Sequence, residues 1–138
     1  MKKWLIGVVL LISIVVAVKE FSNNEYLSAQ QLADAGNYEG FYSEISIDVN
    51  KGDNKAKNIL IDYCFKAVQD GNEKEVQYYL QKQPDLINMI DSDGNRAIDV
   101  VLFNERINIQ MLKILLEYNP NLNYTVKFYD MSPLQVEW

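Results

Sequence analysis

The chain has 138 residues, 49% of them apolar, and carries 13 Lys or Arg against 19 Asp or Glu, with one cysteine and no histidine. That length allows one domain at most, and the missing histidine removes the commonest general base, the commonest neutral metal ligand and every Ser-His-Asp or Cys-His arrangement. The single Cys64 rules out an intramolecular disulfide or a thiolate cluster built from one chain, and its place on an apolar helical stripe reads as a small core residue.

Met1, Lys2 and Lys3 precede an uninterrupted apolar run over residues 4–18, WLIGVVLLISIVVAV. A positive start followed by such a run is addressed to a membrane. Fifteen helical residues reach roughly 22 Å, short of a hydrocarbon core of roughly 30 Å, which suits a signal peptide. Val15 and Ala17 are small enough to precede a cleavage point. No polar stretch separates them from the run, however, and Lys19 and Phe21 suit the far interface, which favours an uncleaved signal-anchor helix. The expectation is an N-terminal apolar segment over 1–20. It leaves the chain in the inner membrane, single-pass with the domain in the periplasm, or periplasmic if cleaved. The short Met-Lys-Lys start points to a bacterial source, and no cysteine follows the run to allow lipoprotein processing.

Past this segment the charge is more one-sided: eleven cations face nineteen acids, about −8. Such a surface repels nucleic acid and anionic lipid and leans toward a basic partner, although the same charge also serves solubility.

Residues 21–53 contain LADAGNYEGFYSEI, with Gly36-Asn37 as a break between two apolar stretches. They are expected to form a degenerate repeat or a capping helical hairpin. The next stretch, ILIDYCFKAVQDGNEKEVQYYL, places Ile59, Leu60, Tyr63, Cys64, Ala67 and Val68 at helical spacing. It breaks at Gly71-Asn72 and resumes with Val76, Tyr79 and Leu80, which predicts a helix-turn-helix pair. Pro84 and Asp85 stop the second helix, and Asp91, Asp93 and Gly94 supply turn chemistry before a new helix near Asn95.

The order then returns. Ile98, Val101 and Leu102 form one stripe, Asn104 and Glu105 a polar break, and Leu112, Leu115 and Leu116 a second stripe before Asn119-Pro120. Ala67 matches Val101, Asn88 matches Asn123, Ala97 matches Pro133, and Gly36-Asn37 stands over Gly71-Asn72, a period near 35 that wobbles by single residues. A partial third unit opens at Ser132-Pro133-Leu134. Residues 54–138 therefore read as a repeat domain of two units and part of a third.

These residues resemble the ankyrin-repeat family. Asn88, Asp91, Asp93 and Gly94 in NMIDSDG look like its turn consensus, and Ser132-Pro133-Leu134 like its Thr-Pro-Leu helix opening. Val76 with Leu80, and Leu112, Leu115 and Leu116, look like its second-helix core. The sequence departs from the pattern at Arg96-Ala97-Ile98-Asp99, which replaces Thr-Pro-Leu-His. It departs again at Glu105, where the family has a glycine, and in two extra residues in that turn. The expected fold is all-α, an ankyrin-type helix-turn-helix repeat solenoid with an atypical N-terminal helical pair and an N-terminal apolar helix.

The resemblance implies a protein-binding module, not an enzyme, with no cofactor and no metal. Its concave side would hold Lys66, Gln69 and Asp70 in one unit, Val100, Phe103 and Asn104 in the next, and the turn residues Met89, Ser92, Asn95 and Arg96. Val100 and Phe103 read as a hot spot or as side chains covered by the neighbouring unit. The last turn, YTVKFYDM over 124–131, offers Tyr124, Lys127, Phe128 and Tyr129 as a contact finger, or as a seal over the open end. Pairs such as Asp91 and Asp93 are turn formers before they are catalysts, and the stretch lacks the spaced ligands of a calcium loop. Small exported ankyrin proteins include immunity proteins that neutralise a toxic effector, for example a type VI secretion phospholipase; others are periplasmic adaptors or envelope-stress scaffolds. The implied partner is another protein, such a toxin in the first case, with the membrane engaged through residues 4–18 if they are uncleaved.

Overall fold

A computed structural model describes residues 25–123. Among them are six α-helices, one 3₁₀ segment and no strand. The apolar segment over 4–18, the last turn over 124–131 and the partial third unit that opens at Ser132 lie outside the described residues. Among the described residues, no helix is long and apolar enough to cross a membrane.

The chain divides into two compact units, Met1–Phe41 and Tyr42–Trp138. In the first, α1 spans Leu27–Asp34 and buries Ala29. The helix α2, Tyr38–Asn50, runs across the division, with Phe41, Ile45 and Val49 buried at intervals of four along one face.

The second unit continues with α3 (Asn54–Asp70), α4 (Glu73–Lys82), the 3₁₀ segment Pro84–Asn88, α5 (Ala97–Leu102) and α6 (Ile109–Leu116). The helix pairs α3/α4 and α5/α6 are joined sideways. α3 packs on both α4 and α5, and α4 packs on the 3₁₀ segment and on α6. One layer therefore supplies part of the core of the next.

Why the chain turns where it does is visible at Gly71-Asn72. Gly71 takes the left-handed conformation, φ +74°, which costs glycine nothing sterically. Asn72 N–H then bonds back to the Ala67 carbonyl at 2.9 Å, closing the end of α3. The Asn72 side chain at once accepts the Glu75 N–H at the start of α4, so two residues both stop one helix and cap the next. Gly36-Asn37 repeats the device, with the Asn37 side chain accepting from Gly40 N at 2.9 Å. The second turn lacks the glycine. There α5 ends at Leu102 and the chain needs the longer stretch 103–107 before Asn108 caps α6, accepting from Met111 N at 3.1 Å.

Two side-chain expectations are corrected, on α3 and on α6. On α3 the fully buried residues include Ile61 and Phe65, whereas Ile59 and Tyr63 are half-buried. A single-faced stripe does not describe a helix covered on two sides. Beyond the stop at Pro84 and Asp85, the 3₁₀ segment buries Leu86 and Ile87 in the core, which sequence reasoning did not single out. On α6 the buried set is Met111, Leu112, Ile114 and Leu115, and Leu116 is 39% exposed.

The outer side of α4 carries a polar-tipped aromatic cluster. Tyr42 donates its hydroxyl to Gln83 Oε1 at 3.2 Å, and its ring meets Tyr78 edge-on with centroids 5.9 Å apart. The Lys82 ammonium sits 5.7 Å from the centre of the Tyr78 ring. These contacts hold Tyr42 of α2 against the C-terminal part of α4 and Gln83 after it.

Candidate functional site: a recess between α3 and the turn that follows α4

The turn between the two helix pairs is built by one carboxylate. Asp91 Oδ1 accepts the backbone N–H groups of Asp93 and Asn95, both at 2.9 Å, and Asp91 N donates to the Asn95 carbonyl at 2.9 Å. Gly94, at φ +83°, lets the chain reverse inside this ring of bonds. Asp91 is thus a structural acceptor, while Asp93 points to solvent. The turn is also tied forward along the stack: Asn88 Oδ1 accepts from Asn121 N at 2.8 Å across 33 residues.

At the exit of the turn, Asp99 does the work that the departure from Thr-Pro-Leu-His left unexplained. Its carboxylate, 2% exposed, reaches back to accept the Arg96 N–H at 2.8 Å. That supplies an acceptor to the amide preceding α5, whose cap position has no short polar side chain.

Between this turn and the exposed side of α3 lies an open recess in two lobes. The larger, of about 570 Å³, is lined by Asn54, Lys57 and Asn58 from α3 and by Met89, Ile90 and Arg96 from the turn region. The smaller, of about 290 Å³, continues past Asn58, Ile61 and Ile90 to Asp62, Asp91 and Ser92. Ile90, 51% exposed, stands where the lobes meet. The Asp62 carboxyl is pushed above the usual range, first by partial burial and then by the negative charge of Asp91.

The structure places the expected contact residues unevenly. Met89, Ser92 and Arg96 line the recess. Asn95 is held in the turn by its backbone bonds to Asp91. Val100 and Phe103 are half-buried on α5 and at its C-terminal end. Lys66, Gln69 and Asp70 are exposed further along α3. Tyr124, Lys127, Phe128 and Tyr129 lie outside the described residues. Sequence reasoning missed Asn54, Lys57, Asn58, Ile61 and Ile90. An isoleucine within a polar turn was the one available signal, since an apolar side chain there has no helical face to join.

Cys64 belongs to the core and to no site. It is 1% exposed, and burial, followed by the charge of Glu75, pushes its thiol up to about 12. Alkylation near pH 8 should therefore proceed only through opened molecules, about a thousandfold or more below the rate in denaturant. A rate close to that of the denatured chain would contradict the burial. The unfolded thiol ionises first, so the thiol's share of the stability is intact below 9.0 and is lost as pH rises toward about 12. The part of the alkaline loss that vanishes in Cys64→Ala, followed by urea titration at several pH values, measures that share.

Helix pairs packed side by side, with a carboxylate-closed turn projecting between them, define a helical repeat protein. The particular repeat is shown by comparison: residues 64–116 match the family described as ankyrin repeats (many copies). That span runs from Cys64 in α3 to the end of α6. No curated protein and no solved structure matches the chain significantly. No enzyme family is matched by it either, and ankyrin repeats bind protein partners.

Proposed function

We propose that this chain is an extracytoplasmic protein-binding module that neutralises a secreted toxic protein by holding it against the turn-and-helix surface of the repeats. The observation that carries the binding part is the recess beside α3, where Ile90 is exposed at the junction of the two lobes, 51% of its surface open. The apolar run after Lys2-Lys3 supports the location, and the acidic balance of the remaining chain supports a partner with a basic surface. A phospholipase delivered by a type VI system fits these features, because an enzyme that grips anionic lipid presents a basic face.

Capture from detergent-solubilised envelope with the full chain as bait tests the function. One stoichiometric protein with a nanomolar dissociation constant, whose toxicity the chain suppresses on co-expression, is the expected result. A partner that binds without any toxicity being suppressed would replace the inhibitor by an adaptor or envelope-stress scaffold. Failure to retain any protein would overturn the binding reading. The location has its own test: a reporter fused after Trp138 that is active only outside the cytoplasm should be active, and an inactive, expressed reporter would place the domain inside.

A further inference from the structure

The recess is chemically graded from end to end. Along α3 the helical rise sets Asn54 and Asp62 about 12 Å apart, the reach of about four extended residues. At the Asn54 end, Lys57 and Arg96 contribute to the lining. At the other end stand Asp62 and Asp91. Ile61 and Ile90 belong to both lobes; Ile61 is buried beneath them, and the exposed Ile90 supplies the apolar middle. Cations at one end, aliphatic carbon in the middle and carboxylates at the other end specify the occupant's complement.

Resting on the protein-binding reading above, we infer that the recess selects its partner by charge order. It takes an exposed segment of a protein in which an aliphatic side chain, seated on Ile90, is flanked by Lys or Arg at Asp62 and Asp91 and by Asp or Glu at Lys57 and Arg96.

Several observations favour this occupant. The recess is open along its length, whereas sites for small molecules enclose most of the ligand's surface. The domain's negative charge opposes a nucleic-acid strand. The two carboxylates close enough to raise the titration of Asp62 are relieved by a cation placed between them. Asp91 Oδ1 is already committed to two backbone N–H groups, so the turn holds that charge in place before any partner arrives.

The test uses the full chain in detergent with labelled isoleucine methyl groups and three acetylated, amidated peptides: Lys-Gly-Leu-Gly-Glu, Lys-Gly-Leu-Gly-Lys and Glu-Gly-Leu-Gly-Glu. The mixed-charge peptide should saturate shifts of the Ile61 and Ile90 methyls in the millimolar range or below, about tenfold tighter than either like-charged peptide. Asp62→Lys leaves Asp91 opposite a cation and should remove the preference for the mixed-charge peptide over the all-glutamate one, with an unchanged helical spectrum. Equal binding of the three peptides, saturation at methyls away from the recess, or no saturable shift would each overturn the assignment. These results leave the protein-binding reading to its own capture experiment. A captured partner that binds Ile90→Asp as tightly as the parent chain likewise removes the recess while keeping the module.

Discussion

Leu80→Ala is expected to lower the unfolding free energy by about 2–5 kcal/mol, whereas Leu116→Ala, at the matching position of the next unit, should cost less than about 1 kcal/mol. Both leucines lie eight residues after the asparagine that caps their helix, Asn72 for α4 and Asn108 for α6. Identical local sequence roles would give identical costs. They differ because α4 is covered by α3, the 3₁₀ segment and α6, leaving Leu80 fully buried, whereas Leu116 is 39% exposed. Removing three carbons from a filled core leaves a cavity that the packed surroundings close only in part; removing them from an open side leaves none. Urea titration of the two variants beside the parent measures the contrast. Equal losses would mean that the second helix pair does not cover the first.

Asp99→Ala should cost about 1–3 kcal/mol, and Asp99→Asn distinctly less. Alanine leaves the Arg96 N–H without its 2.8 Å acceptor at a carboxylate site that is 2% exposed. Asparagine keeps an oxygen that can accept the same bond and loses the negative charge at the start of α5, a favourable charge at a helix N-terminus worth about 0.3–1 kcal/mol. Thermal and urea unfolding of both variants checks the order. If the two variants were equally destabilised, the anionic charge and not the hydrogen bond would be the stabilising element.

How far the fold was legible depends on how local each cause is. The Gly-Asn pairs at 36–37 and 71–72 were readable because a positive φ and a side-chain cap are properties of the residues themselves. The Asp91 turn was readable for the same reason. Asp99 was not, since the family pattern draws attention to Thr at the helix opening and here the acceptor comes from three residues further in. Ile61 and Phe65 were missed because burial on two sides of α3 is set by α4 and α5 together, and periodicity reports only one face. Leu116 was misassigned by the converse error, a core position by register that the described residues leave 39% exposed.

The site was legible in halves. Met89, Ser92 and Arg96 follow from the projecting turns of a repeat stack, and they do line the recess. Asn54, Lys57 and Asn58 come from a first helix whose polar face looked like ordinary solvated surface. Only the side-by-side placement of that face and the next turn, about thirty residues on, makes a recess of the two. Val100 and Phe103 read in the sequence either as a hot spot or as side chains covered by the neighbouring unit; they are half-buried.

Methyl-to-methyl nuclear Overhauser spectroscopy on the folded chain tests the shared core most directly. Packing of α3 on α5 predicts cross-peaks between methyl groups of the two helices, with Leu60, Ile61 and Val68 on one side and Ile98, Val101 and Leu102 on the other. Cross-peaks confined within α3/α4 and within α5/α6, with none between the pairs, would contradict the stack and the recess built on it.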